Sequence, residues 1–416
     1  MSKYYFLFLF LVFPGHSGTL LAQTRNLNYY IESAFSNSPL LNEYSNQIKG
    51  SLLNASKIKA TQKPQVSANA FAQYAPLIGN TGYDQAISNG GIYTGTINVI
   101  QPIFNRAILK GQLQQEQVHS DSIKNNSKIS RNDLKRSIIN QYILAYADLQ
   151  QLNFQQEVLA MLLDQDNYLK KLVQKGILKQ SDYLTFLVSR QAQEVNISQI
   201  EITYHIDLST LNELSGISDS STYILETPNF TLQSLSSVND LPGYNKFIID
   251  SLQIQNQRNL LAAAYRPKLN WFADAGFETT RPTVIYRTFG TSFGISFGLP
   301  IYDGHQRNIV SKQLDLQEQT RKAYQQYYKV YYLHQVLAIQ KQLHDTNMLL
   351  DKVRNQMKYA KMLIEVDQKL LNTGEIKIND YLLAVSNYKS IQYSLTQQEV
   401  NQLLLINQLN YWTITY

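Results

Sequence analysis

Long stretches of helical apolar spacing alternate along this chain with short stretches in which apolar and polar residues alternate one by one. Residues 106–175 contain no proline and one glycine, Gly111, and residues 306–373 contain neither. A helix of that length spans about 105 Å at 1.5 Å per residue, which is longer than a compact domain. The pattern therefore predicts two long helices that pack beside other helices as a coiled coil or bundle. Shorter helices are predicted over residues 179–214 and 377–412. Helical spacing is also present over residues 27–62, where Ser38 and Pro39 open a stretch that ends at Pro64, and a matching stretch runs from Leu241 to Pro267.

Four stretches of strict alternation predict four β-strands, arranged as two hairpins. In the second hairpin small or polar residues occupy one face, and the other face carries an apolar set: Leu269, Trp271, Ala273, Ala275, Phe277, Phe289, Phe293, Ile295, Phe297 and Leu299. Such strands fit a half-buried sheet of a soluble protein, and they fit a membrane barrel with a wet interior. The strands alone leave both interpretations open.

The chain contains two copies of one unit. A pair of prolines recurs at an offset of 203 residues, as Pro39 and Pro64, then as Pro242 and Pro267. Gly176 recurs as Gly374 at an offset of 198, and the Asp-Tyr-Leu string at 182–184 recurs as 380–382 at the same offset. Each unit reads as helix, β-hairpin, long helix, tight turn and return helix.

These features predict the domain boundaries. The chain divides into a signal peptide at 1–22, a first repeat at 23–215, a linker at 216–240 and a second repeat at 241–416. The β-hairpins fall at about 65–101 and about 268–299, and the helical hairpins at about 105–214 and about 304–412.

The N-terminus has the layout of a secretory signal peptide. Lys3 is followed by an apolar run at residues 4–13, and Ala22 closes the segment with a small residue. Ten apolar residues are too few for a membrane-spanning helix, which needs about 20. We therefore expect an exported protein, either soluble or carrying a transmembrane β-barrel.

Composition excludes several classes of function. There is no cysteine, so disulfides and thiolate metal sites are excluded. The net charge of +6 is spread without a basic block, which argues against a nucleic-acid partner. Gly294, Ser296 and Gly298 match the hydrolase elbow pattern, but the serine lies inside an alternating run instead of a strand-to-helix turn. No catalytic residue, cofactor site or metal site is predicted. A hydrolase that uses Ser296 is the weakest hypothesis for this chain.

Four strands are too few to close a barrel, for which eight are the usual minimum. An open sheet in lipid would leave unsatisfied backbone groups at its edges. Three chains supply twelve strands, whereas two supply eight and leave an interior filled by side chains. A membrane location thus predicts a homotrimer.

The whole arrangement resembles the TolC family of outer-membrane efflux proteins over about residues 27–416. The resemblance is carried by the signal peptide, the duplicated units, the Pro-Ile-Phe and Pro-Ile-Tyr strings at 102–104 and 300–302, and the Gly-x5-Asp-x-Leu turns. It implies a mainly α fold with a β-barrel part: a trimeric 12-strand transmembrane barrel continued by a long periplasmic α-helical barrel. It also implies an outer-membrane exit duct of a Gram-negative bacterium, working with a periplasmic adaptor and an inner-membrane transporter. The alternative is an exported, soluble coiled-coil scaffold.

The resemblance assigns roles to particular residues. It implies adaptor contact at the two helix turns, through Gly176, Ile177, Gly374, Glu375 and Ile376. It implies a periplasmic gate at Asp380 and Asp182; the family's second acid is Leu383 here, so Glu365 and Asp367 are candidate substitutes. In a barrel the strand pattern places Asp274 and Glu278 in the lumen, whereas in a soluble sheet the same two acids are simply solvated. The residues expected to face lipid are Trp271, Phe277, Phe293, Ile295 and Phe297.

Overall fold

The computed structural model describes residues 24–76, 78–79, 81–82, 90–103, 106–219, 223–234 and 237–412. The predicted signal peptide at 1–22 lies outside these residues. The helices are α1 (Leu27–Asn37), α2 (Pro39–Ala60), α3 (Arg106–Gln174), α4 (Gln180–Leu214), α5 (Pro242–Ala264), α6 (Gln306–Thr373) and α7 (Ile378–Tyr411). The strands are β1 (Thr24–Arg25), β2 (Gln65–Ala75), β3 (Gly90–Pro102), β4 (Ile224–Leu225), β5 (Lys268–Thr279) and β6 (Phe289–Gly298).

The predicted start of a helical stretch at Ser38 and Pro39 is confirmed, and it divides the helical spacing over residues 27–62 into two helices, α1 and α2. Ser38 caps α2: its hydroxyl accepts a hydrogen bond from the N–H of Leu41 at 3.4 Å. Pro39 occupies the first turn of α2. Proline there is favourable for the helix that follows and incompatible with continuing the preceding one. α5 also begins with a proline, Pro242, in agreement with the predicted repeat.

The chain divides into two compact units that do not coincide with the repeats. The first unit comprises the described parts of Met1–Asn37, Ser137–Thr231 and His344–Asn407, and the second comprises those of Ser38–Arg136, Leu232–Leu343 and Gln408–Tyr416. Each repeat contributes residues to both units. Helices α3 and α6 each begin in the second unit and end in the first.

In the first unit, helices of both repeats share one hydrophobic core. On α3 the buried residues Phe154, Val158 and Leu162 follow each other at intervals of four, which places them on one face of the helix. The rest of the core comes from Leu169, Phe186, Ile364, Leu371, Ile378, Tyr381, Ala384, Val385 and Tyr388. The two helical hairpins therefore stabilise each other by burying their apolar stripes together.

The chain segment before α1 also packs within the first unit, through strand pairing and hydrogen bonds. β1 pairs with β4 in parallel, with Arg25 opposite Leu225. The buried hydroxyl of Tyr142 donates to the carbonyl oxygens of Arg25 and Glu226, at 3.1 and 2.6 Å. The Arg25 guanidinium lies 3.3 Å from the ring centroid of Tyr223. α3 thus holds the two short strands through one side chain.

The second unit contains an antiparallel four-stranded sheet with the order β2-β3-β5-β6. The two predicted β-hairpins are confirmed, and they join through the pairing of β3 with β5. β2 and β6 are the edge strands, and their outer edges pair with no other strand among the residues described.

The register separates the two faces of the sheet. One cross-strand row consists of Ser67, Asn98, Asp274 and Ser292, and a row on the opposite face consists of Val66, Val99, Ala273 and Phe293. Two aromatic rings lie over glycines in the neighbouring strand: Phe277 over Gly95 and Phe272 over Gly294. Ring-over-glycine pairs of this kind fix the register of adjacent strands. The predicted alternation of polar and apolar faces is confirmed.

Polar side chains connect the helices of the second unit. The hydroxyl of Ser51 on α2 donates to the carbonyl oxygen of Glu116 on α3 at 3.1 Å. The buried amide of Asn256 on α5 donates to the carbonyl oxygen of Gly111 at 2.9 Å. α3 therefore contacts both α2 and α5, and each contact satisfies a buried polar group.

The long helices α3 and α6 end in the first unit with the same glycine turn. Gly176 and Gly374 have φ angles of 70° and 78°. In the first turn the N–H of Gly176 donates to Val173 at 2.9 Å, and the N–H of Ile177 donates to Leu172 at 3.0 Å. The second turn makes the two equivalent bonds at 3.1 and 2.9 Å. This is a Schellman motif, in which glycine adopts the left-handed conformation that other residues avoid.

We predict that Gly374→Ala destabilises the protein by about 1–2 kcal/mol, the cost of the left-handed conformation for an L-residue. Steric clash does not contribute, since no atom lies within 4 Å of the position that the added Cβ would take. The matched control is Gly50→Ala inside α2, where the added Cβ also meets open space and we expect a gain of about 0.5–1 kcal/mol. Thermal unfolding followed by circular dichroism compares the two variants; a shift in the same direction for both would contradict the prediction.

Candidate functional site: the helix turns and the polar face of the sheet

The two turns of the first unit expose some predicted contact residues and bury another. Ile177 is 66% exposed. Glu375 is also exposed, and its carboxylate accepts a hydrogen bond from the hydroxyl of Thr373 at 2.8 Å. Ile376 packs against the shared hydrophobic core. Ile177 and Glu375 therefore offer their side chains to a partner, whereas Ile376 supports the turn from inside.

Asp182 and Asp380 occupy the same position, the third residue of their return helices, α4 and α7. Both are exposed. The carboxylate of Asp380 accepts the N–H of Lys377 at 3.3 Å, so it caps the start of α7. A carboxylate there is stabilised by the unsatisfied N–H groups and the dipole of the helix.

Of the two substitute acids, Asp367 comes close to Asp380 and Glu365 does not. Asp367 is half-buried on α6, and burial together with the negative charge of Asp380 raises the pKa of its carboxyl group. Glu365 is exposed, and its charge acts instead on Tyr388. The second turn thus has two neighbouring acids, one in each helix.

A polar network in the first hairpin was not predicted. The carboxylate of Asp166 on α3 forms an ion pair with Arg190 on α4 at 2.7 Å, and it accepts the hydroxyl of Tyr183 at 3.0 Å. The Asp166 and Arg190 side chains are 17% and 22% exposed. The network holds the two helices together about two to three turns from the glycine. The repeated Asp-Tyr-Leu string contains Tyr183, but its partner could be found only from the register of the helices.

The second hairpin replaces this network with apolar packing. At the offset of 198 residues, Ile364 stands where the first hairpin has Asp166, and Tyr388 stands for Arg190. Tyr381 corresponds to Tyr183, and its buried hydroxyl has no hydrogen-bond partner in the part of the chain that the structure describes. Burial raises the pKa of Tyr381 to about 12. The two hairpins therefore have equal turns and different means of holding their helices together.

Polar contacts also link the two hairpins within the first unit. The amide of Gln165 donates to Asn372 at 2.8 Å, next to the second turn. Further along, the ammonium of Lys389 donates to Gln193 at 2.7 Å, and Gln193 donates to Gln155 at 2.8 Å. Gln165, Gln193 and Gln155 are buried. Buried polar links of this kind specify one alignment of neighbouring helices.

In the second unit, the predicted lumen acids share the polar face of the sheet. Asp274 lies between Asn98 and Ser292 in the register, and the hydroxyl of Ser292 donates to its carboxylate. Glu278 is exposed opposite Thr94 on the same face. β2, β3 and β6 contain no charged residue, so the charge of this face comes from β5.

The five residues predicted to face lipid lie together on the opposite face. Phe293, the most exposed of them at 90%, pairs with Ala273, and Ile295 pairs with Trp271. The indole N–H of Trp271 donates to the side chain of Gln101 at 3.2 Å. Phe277 and Phe297 complete the set, at the two ends of the sheet.

In the described ranges no helix is long and apolar enough to cross a membrane. The same ranges hold no cluster of three or more potential metal-ligating side chains. Ser296 lies within β6, paired with Asn270, so it does not sit at the strand-to-helix turn of a hydrolase elbow.

The fold is that of known outer-membrane channels. The chain is similar to the outer-membrane channel OprN, with a TM-score of 0.75 and 13% identity over 94% of this chain and 90% of that one. It is similar to the outer membrane protein VceC of Vibrio cholerae (TM-score 0.72, 16% identity, 93% and 95% covered). It is also similar to the CmeC outer membrane channel of Campylobacter jejuni (TM-score 0.74, 13% identity, 93% and 85% covered).

Comparisons of sequence find no such relative. No protein-family model matches the chain, and no curated protein matches it in sequence. The resemblance to the TolC family is therefore confirmed at the level of the fold, by structures that share few residues with this chain.

The duplicated tyrosines allow a matched test of the polar network. Tyr183→Phe removes a hydrogen bond to the Asp166 carboxylate, and we expect it to destabilise the protein by about 0.5–1.5 kcal/mol. Tyr381→Phe removes a buried hydroxyl to which no described residue forms a hydrogen bond, so we expect stability to stay unchanged or to rise by about 1 kcal/mol. Urea unfolding midpoints of both variants provide the measurement. If both variants lost the same amount of stability, the hydrogen bond from Tyr183 to Asp166 would contribute nothing beyond the packing of the hydroxyl group.

Proposed function

We propose that this protein is the outer-membrane exit duct of a tripartite efflux pump or type I secretion system. It acts as a passive homotrimeric channel in the outer membrane of a Gram-negative bacterium, with a periplasmic extension. The observation that supports this most directly is the four-stranded sheet of the second unit. It has a polar face, an apolar face and two edges that pair with no other described strand, in a chain with the fold of outer-membrane channels.

The sheet edges argue for a trimer. The outer edges of β2 and β6 present N–H and C=O groups that lipid cannot satisfy. Pairing β2 of one copy with β6 of the next removes both edges, and three copies give a closed barrel of twelve strands. In that barrel the row containing Asp274 faces the lumen, and the row containing Phe293 faces lipid.

The helix turns are the proposed contact with the rest of the pump. Gly176, Ile177, Gly374 and Glu375 lie at exposed reversals where an adaptor hairpin could dock, with Ile376 supporting the second turn. Asp182 and Asp380, one in each hairpin, are the proposed gate acids. The neighbouring Asp367 is a better substitute for the family's second acid than Glu365, because it lies close to Asp380.

The duct needs no chemistry of its own. We propose that the protein is not an enzyme, since the one hydrolase-like pattern lies in a paired strand. The energy for transport would then come from the inner-membrane transporter. Outer-membrane lipid is the remaining partner, and no feature of the chain calls for nucleic acid.

A pair of adjacent substitutions tests the membrane location. Ile295 and Ser296 are neighbours in β6 and lie on opposite faces of the sheet. We expect Ile295→Arg to cost about 2–4 kcal/mol in the bilayer and to abolish outer-membrane assembly. Ser296→Arg points into the wet interior and should assemble as the wild type does. Fractionation of expressing cells, then cross-linking of the extracted protein, measures the outer-membrane fraction and the trimer.

These two variants and the fractionation distinguish the exit duct from an exported scaffold. Wild-type protein in the outer membrane at three times the chain mass supports the duct. A soluble monomer or dimer, with both arginine variants behaving alike, would leave an exported coiled-coil scaffold as the better interpretation.

The gate acids are tested by ion preference. We expect Asp380→Asn or Asp182→Asn to lower the cation-over-anion preference of the reconstituted channel by roughly two- to fivefold, since a unit charge about 4 Å from an ion is worth about 1 kcal/mol in water. The control is Asp345→Asn, an exposed acid of α6 remote in sequence from the turn. Reversal potentials in a potassium chloride gradient at low salt give the preference, because salt screens the effect. Equal values for all three variants would remove the gate role.

A further inference from the structure

Two aspartates face each other between α3 and α4 in the first unit. Asp148 lies on α3 and Asp207 on α4, and the side-chain amide of Gln141 donates to the backbone carbonyl of Asp207 at 3.0 Å, which places the helices side by side here. The two carboxyl groups are within hydrogen-bonding reach of each other. One oxygen of Asp148, Oδ2, is sealed from solvent and has no hydrogen-bond partner among the described residues.

The surroundings do not compensate two negative charges at this place. One turn further along α3, the buried Oε1 of Gln151 is another acceptor without a donor in the described chain. Several charged side chains on the other elements of this unit are engaged with groups other than Asp148: Glu201 with His205 on α4, Arg25 with Asp219, Glu226 with Thr24, Arg354 on α6 with Glu399 on α7, and Lys389 with Gln193. Asp207 is the one charged group that acts on Asp148.

Two carboxylates in contact repel each other, and one shared proton turns the repulsion into a hydrogen bond. Burial is the largest cause, and together with the hydrogen bond and the charge of Asp207 it raises the pKa of Asp148 to about 7. The proton is thus held in the folded protein near neutral pH, where an aspartate in water is fully ionised.

We propose that Asp148 and Asp207 share one proton and form a pH-sensitive joint that holds α3 against α4 when protonated and loosens the hairpin when the proton leaves. The joint is a property of the first hairpin, and it does not depend on the proposed export function.

The sign of the pH effect follows from linkage. The pKa of Asp148 rises from 3.8 to about 7 on folding, so the folded state binds the proton more tightly than the unfolded state does. Stability from this group therefore falls as the pH rises through the interval between the two values, and it levels off above the higher one. A salt-bridged aspartate would show the opposite slope.

The absence of cysteine makes the joint directly measurable. Cysteines introduced at the exposed positions Gln150 on α3 and Thr203 on α4 carry spin labels on either side of the pair. Double electron–electron resonance on the full chain then gives the separation of the helices at about pH 5.5 and about pH 8.5, on either side of the transition. We expect a longer or broader distribution at the higher pH.

Three substitutions decide the cause of any change. Asp148→Asn and Asp207→Asn keep a hydrogen bond without a shared proton, so the distance should no longer depend on pH. Asp164→Asn, an exposed acid on the same helix, is the matched control and should respond as the wild type does. A wild-type distance that ignores pH, or a response that persists in Asp148→Asn, would overturn the proposal.

A measurement without these variants covers the case in which an asparagine variant does not fold. Infrared spectra of the unlabelled wild-type protein should show the carbonyl band of a protonated carboxyl group near neutral pH. The band should disappear as the pH rises through about 7, the pKa of Asp148 in the folded protein. A spectrum without such a band between pH values of about 5 and about 7 would overturn the shared proton.

Discussion

The shared core of the two helical hairpins is the interaction on which the rest of the first unit depends. An isolated helix the length of α3 cannot bury its apolar stripe, and most helical stability in proteins comes from such burial. Phe154 and Leu162 of the first repeat pack with Ile364 and Tyr388 of the second. Each repeat is therefore half of a core, and duplication supplies the other half within one chain.

That shared core leaves the two hairpins free to diverge in how each holds its own helices. The turns must stay alike, because the left-handed residue at Gly176 and Gly374 has no cheap substitute. The helix positions beside the turns are under no such constraint. Asp166 and Arg190 hold the first hairpin by charge and hydrogen bonding, whereas Ile364 and Tyr388 hold the second by apolar contact. The duplication is thus close at the glycine turns and looser in the chemistry of the helices beside them.

The features that could be predicted from the sequence are those set by local chemistry. Strand faces follow from the period of two, and the turns follow from glycine. The start of α2 at Ser38 is equally local, since a serine before a proline is a strong signal for the beginning of a helix. The pairing of β3 with β5 and the ion pair of Asp166 with Arg190 depend on how distant segments align. One sequence does not contain that register, so these contacts were missed.

The same divergence decides where solution conditions can act on the molecule. Apolar contacts between Ile364, Tyr381 and Tyr388 have no charge to lose between pH 5 and 8. In the first hairpin, α3 and α4 are joined by a carboxyl pair at Asp148 and by an ion pair at Asp166, one sensitive to protons and the other to salt. The carboxyl pair responds to pH because it has no cation beside it, and the ion pair responds to salt because it includes the Arg190 cation. At these places a change of pH or ionic strength acts on the first hairpin, whereas the corresponding positions of the second hairpin, Ile364, Tyr381 and Tyr388, keep their apolar packing.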